Sequence, residues 1–167
     1  MSATIAQHVA TYFEGEKNAG MLIAGIGAAM FAAGTALFPA RHGLRAFALT
    51  LLVWGTLEFG LGAGLYLRTG PQVVDLLRDL GRDAAAFYAS EGARMAKVQR
   101  NFVVLEAVWL GAIAVTGVLG VVMKKSPLAS GIALGILVNV SVLLAFDVVA
   151  ERRGAIYERA LVDKRLE

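Results

Sequence analysis

Residues 44–67, LRAFALTLLVWGTLEFGLGAGLYL, form an apolar run of 24 residues with one acid, Glu58, well inside it. A helix rises about 1.5 Å per residue and a bilayer's hydrocarbon core is about 30 Å thick, so a run of this length reads as a membrane-spanning helix. Arg45, at one edge, is its only other charge. An ionised carboxylate facing lipid is costly, so Glu58 should face protein or water. Gly55 and Gly62 lie three residues before and four after it, on its own face, where small side chains admit a neighbouring helix. Gly60 and Gly64 add a GxxxG pair on the adjacent face. Glu58 is then either an ion, proton or ligand site, or a neutral, hydrogen-bonded acid that specifies packing.

Three further runs have the same character: 20–38, 102–123 and 128–150. The chain of 167 residues is 57% hydrophobic and 17% charged, against about 25% charged residues in an ordinary soluble domain. These proportions predict an all-α polytopic membrane protein, one domain of four spans. Pro39 ends the first span and the link to the second is short, as is the Lys124–Lys125–Ser126–Pro127 link between the third and fourth. Short links predict two antiparallel hairpins. The basic residues flank apolar runs and alternate with acids, a pattern of topology and headgroup charges that argues against a nucleic-acid partner. Without a basic stretch followed at once by an apolar run at the N-terminus, no cleavable signal peptide is expected.

Between and beyond the spans lie amphipathic stretches, 3–17, 71–100 and 152–165, expected as interfacial helices, with 71–100 alternatively projecting as a cytoplasmic hairpin and the tail continuing as a helix out of the membrane. Ile5, Val9, Tyr12 and Phe13 recur at helical spacing, as expected for a short helix on the membrane surface. Thr69 or Gly70 with Pro71 reads as a cap and first turn, and Gly81 and Gly92 as breaks or bends. Within the first span, Gly20, Ala24, Ala28, Ala32 and Ala36 recur every four residues, as a small-residue stripe for a neighbour. Gly131, Gly135 and Asn139 do the same in the fourth.

Four spans put both termini and the 68–101 segment on one side of the membrane. That side carries 12 of the 16 Lys and Arg residues, the other only Arg41, Arg45, Lys124 and Lys125, so the termini are expected to be cytoplasmic. Glu58 then lies about 14 Å deep, nine residues from the end of its span. Asn139 is at similar depth and is the expected partner of Glu58. Glu106 and Asp147 are about one turn inside the same boundary, which Arg68, Arg94, Arg100, Arg152 and Arg153 ring. Ion pairing of the two shallow acids with this ring would anchor the bundle. If the faces converge, the four polar residues instead line a pocket open toward the termini.

The absences are informative. With no cysteine there is no disulfide, thiolate metal site or Cys nucleophile. No HExxH and no paired Glu-x-x-His occurs, and His8 and His42 are expected on opposite sides of the membrane. Serines and threonines within the spans are simplest as back-bonding helix residues. Neither an enzyme, a metal nor a cofactor is expected.

Four stretches carry a resemblance: YFEGEKNAG before the first span, LYLRTGPQV after the second, ARMAKVQRNF entering the third and FDVVAERRGAIYERAL leaving the fourth. The chain resembles a group of small bacterial four-span inner-membrane proteins of unknown function. That likeness implies a multi-pass protein of the bacterial inner membrane and no particular activity. The residues favour a structural or accessory subunit that associates with itself or with another membrane protein. The alternative is an oligomeric cation or proton channel using Glu58. A third possibility is binding of lipid or another small hydrophobe, with 71–100 on anionic headgroups.

Overall fold

Each apolar run lies inside one long α-helix. The computed structural model describes residues 4–165: α1 (Ile5–Leu37), α2 (His42–Arg82), α3 (Ala84–Val122) and α4 (Pro127–Arg165), with no strand among them. All four helices contain a stretch long and apolar enough to cross a membrane, which makes this a helical chain with the composition of a multi-pass membrane protein. Position 3, where the first amphipathic stretch was expected to begin, lies outside the described residues.

The helices are longer than the spans. At 33 residues for α1 and 41 for α2, they run about 50 and 60 Å, against a hydrocarbon core of about 30 Å. The amphipathic stretches are therefore continuations of the spans, and their apolar faces meet one another. Ile5, Val9, Tyr12 and Phe13 of α1, Phe87 and Met95 of α3, and Tyr157 and Leu161 of α4 form one buried cluster, flanked by Val73, Leu76 and Leu80 of α2. The helical periodicity of 5–13 is as read, but its apolar face is covered by protein. Full burial of a large apolar side chain is worth about 1.5–3 kcal/mol, so this cluster is a second core beyond the spans.

The helix boundaries differ from expectation at two places. Thr69 does not cap, because its hydroxyl donates to the Leu65 carbonyl at 2.6 Å, and α2 runs on through Pro71. The break falls at Asp83, not at Gly81 or Gly92. Asp83 is extended (φ −151°, ψ 95°) and its carboxylate accepts from the Ala86 N–H at 3.0 Å, an N-cap for α3. At the other end of the chain reversal scheme, Ser126 accepts from the Ala129 N–H and Pro127 opens α4, as read.

α1 and α2 make the closest seam. Gly20, Gly27 and Gly34 face Gly62, Gly55 and Ala48 in reverse order, each set spaced by seven residues. A Cβ on Gly20 would lie 2.9 Å from the Gly62 carbonyl oxygen, and one on Gly34 would lie 2.8 Å from that of Ala48. This corrects the four-residue stripe. Four residues turn a helix about 40° past a full revolution, so a four-residue series winds away from any one neighbour, whereas seven residues fall only about 20° short of two turns. Ala24 stays near the seam, against Gly62, while Ala28 and Ala32 are exposed. Gly60 and Gly64 also lie off the seam, in open space.

The other contacts follow from α4. Gly131 packs against Gly43, Ala46 and Phe47, and Gly135 against Thr50, so α4 runs parallel to α2. α3 lies antiparallel to α4, with Gly120 near Ala133, Trp109 bonded to Asp147 and Gln99 bonded to the Glu151 carbonyl.

Candidate functional site

The structure buries two polar groups of residues, one within the apolar layer and one beyond it. In the first, Glu58 projects from the same face of α2 as Leu51, Gly55 and Gly62, and only 1% of it is exposed. Neither carboxyl oxygen has a hydrogen-bond partner. Asn139 is fully buried on α4. Its Nδ2 donates to the Gly135 carbonyl one turn earlier, at 2.5 Å, and its Oδ1 is unpartnered. The expected Glu58–Asn139 hydrogen bond is therefore not made. Register explains this. Gly131 meets Ala46 and Gly135 meets Thr50, so continuing the parallel seam places Asn139 beside Trp54, one turn or about 6 Å short of Glu58. Three side-chain oxygens, both of Glu58 and Oδ1 of Asn139, are thus buried without a hydrogen-bond partner.

The shallow acids take different partners from those expected. Asp147 accepts from the Trp109 indole N–H at 2.6 Å, a bond that ties α3 to α4. Glu106 is half-buried, with Oε1 unpartnered. No ion pair joins either acid to Arg68, Arg94, Arg100, Arg152 or Arg153. Arg68, Arg100 and Arg152 are exposed, and Arg153 donates to the Gly15 carbonyl at 2.5 Å. The ring of arginines is split between solvent and structural bonds in the outer bundle.

The second group was not anticipated as a unit. Glu91 on α3 is only 2% exposed. Arg94 holds it with two bonds of 2.7 Å, from Nε to Oε2 and from Nη2 to Oε1, and the Tyr157 hydroxyl donates to Oε1 at 3.0 Å. Tyr157 stacks on Tyr12 with ring centroids 5.0 Å apart, Tyr12 donates to Glu16 at 2.7 Å, and the Arg94 guanidinium lies over the Phe13 ring. The network joins α1, α3 and α4. Burial, and then the charge of Glu91, push the Tyr157 hydroxyl well above the usual tyrosine range. Burial and Glu16 do the same for Tyr12. Burial alone would lower the Arg94 guanidinium, but the bonds and charge of Glu91 outweigh it and leave it raised. Both tyrosines thus remain neutral donors around a satisfied ion pair. The signal available in the sequence was the Glu-x-x-Arg spacing of 91 and 94, which puts both groups on one helix face.

Chemically, the outer network is a clasp with every strong group engaged except Glu16 Oε2. The inner group is the unpartnered carboxyl of Glu58 and the Oδ1 of Asn139. Among the described residues no three His, Cys, Asp or Glu side chains cluster as a metal site would require. Four apolar helices with a buried, unpaired acid and a separate aromatic clasp define the class, a small helical protein of multi-pass composition. Compared with known proteins, the chain matches no family model, no curated protein and no solved structure.

Proposed function

We propose that this protein is a structural or accessory subunit of the bacterial inner membrane, built as two antiparallel hairpins with cytoplasmic termini. The observation that carries this reading is the contrast between α3 and the rest. Only 6% of the apolar stretch of α3 is buried, against 17% for α1, 39% for α2 and 22% for α4, and Val104, Val108, Val115 and Val118 stand outward along it. A helix held on one side by α4 and free on the other has the form of a docking face for a further membrane helix. The clasped outer bundle supports the same reading, because it fixes the helices relative to one another beyond the membrane. Native mass spectrometry of the protein, gently extracted from its own membrane, tests it. Retention of a second membrane protein is the expected result, and a bare single chain overturns it.

The second reading is an oligomeric cation or proton path using Glu58, and the unpartnered carboxyl favours it. A homo-oligomer of fixed number would be its signature. If Glu58→Gln leaves ion and proton flux in proteoliposomes unchanged, Glu58 is not on such a path.

A further inference from the structure

Where the α1–α2 seam opens toward lipid, its outer half forms a groove of about 630 Å³. Phe31 and Thr35 of α1 and its C-cap Phe38 line one side, and Leu52, Val53, Thr56 and Leu57 of α2 the other. It leads into a smaller cleft of about 320 Å³ at Ala28, Gly55 and Phe59, with Phe31 and Thr56 common to both. The glycine seam makes the groove. With no Cβ at Gly34 and Gly55 the two backbones close up into a floor, and the large side chains on either side stand as walls. The two hydroxyls on its lining ask for no polar ligand, because Thr35 donates to the Phe31 carbonyl and Thr56 to that of Leu52.

Two observations specify the occupant. The first is length. From Phe38, the C-cap of α1 beside the chain reversal, to Ala28 is ten residues, or about 15 Å, half of the roughly 30 Å hydrocarbon layer and so the depth of one leaflet. The second is charge. Arg45 lies on the same stripe of α2 as Leu52 and Thr56, and its guanidinium sits 4.6 Å from the centroid of the Phe38 ring, at the polar end of the groove. Arg41 follows at the same end. An apolar trough one leaflet deep, closed by a cation at the headgroup level, matches one amphiphile.

We propose that this groove binds one acyl chain of an anionic phospholipid in the leaflet opposite the chain termini, with the lipid phosphate on Arg45. The site is independent of whether the protein is an accessory subunit or a channel, since it involves neither the α3 face nor Glu58.

The test is native mass spectrometry of delipidated protein in detergent, offered phosphatidylglycerol and phosphatidylcholine with the same acyl chains. A basic residue near an anionic headgroup contributes about 1 kcal/mol, so wild type should retain one phosphatidylglycerol with about a five-fold preference. Arg45→Gln should abolish that preference and keep the residual binding. Val53→Trp, which fills the groove, should abolish retention of both lipids while circular dichroism shows unchanged helix content. Lys124→Gln, at the same end of the protein but outside the groove, should change nothing. Equal retention of the two lipids by wild type overturns the proposal. So does unchanged binding in Val53→Trp, or a loss in Lys124→Gln equal to that in Arg45→Gln.

Discussion

Gly27 and Gly55 meet backbone to backbone: a Cβ on Gly55 would lie 2.7 Å from the Gly27 carbonyl oxygen and equally near the Phe31 nitrogen. Real Cβ atoms do not approach backbone so closely, and backbone in a helix cannot swing aside as a side chain end can. The glycine at each position is therefore a condition of the α1–α2 spacing.

Gly27→Leu should accordingly force the two helices apart, at a cost of about 3 kcal/mol, the upper part of the range for overpacking. Gly60→Leu, on another face of α2 and facing open space, should stay within about 0.5 kcal/mol of wild type. Thermal unfolding followed by circular dichroism in detergent compares them. Equal losses in both variants would mean that the cost does not come from the α1–α2 seam.

Arg94→Met should destabilise the outer bundle by about 3–5 kcal/mol, because it leaves Glu91 buried with only the Tyr157 hydroxyl to hold it. Replacing Arg78 by Met, which breaks the exposed Arg78–Asp75 pair, should cost less than about 1 kcal/mol. Hydrogen exchange at the amides of 84–100 reads the difference, with faster exchange expected only in the first variant.

Tyr12 and Tyr157 make the outer bundle sensitive to alkali. Both hydroxyls are pushed above their ordinary value of 10.0, first by burial and then by a neighbouring carboxylate. A raised value in the folded state means that the stabilisation is fully present below about pH 10 and is lost as the pH climbs past it. The unfolding midpoint should fall above that pH, and the double variant Tyr12→Phe and Tyr157→Phe should show a flatter alkaline limb. Parallel alkaline limbs in the two proteins would locate the loss elsewhere.

Glu58→Met should leave stability unchanged or raise it. The carboxyl makes no hydrogen bond, so its replacement orphans no partner and removes a buried polar group. An unfolding free energy in detergent lowered by about 2 kcal/mol or more would show that Glu58 has a hydrogen-bond partner.

The length and spacing of apolar residues determined much of this molecule. Four runs each long enough to span a bilayer left little choice of secondary structure, because a backbone in hydrocarbon must satisfy its hydrogen bonds within its own segment. The burial of Glu58, Asn139, Gly131 and Gly135 was likewise legible, since small and polar residues at helical spacing within apolar runs must face protein. Which partner each residue meets was decided only in three dimensions. The stripe on α1 proved to be Gly20, Gly27 and Gly34 because two helices in contact select a seven-residue repeat, and a sequence read one helix at a time cannot show its neighbour's period. Glu58 and Asn139 lie at similar depth yet miss each other by a turn, because register depends on the seating of Gly131 and Gly135 against α2. The clasp of Glu91, Arg94 and Tyr157 joins positions 66 residues apart, and only the docking of three helix ends puts them within a hydrogen bond.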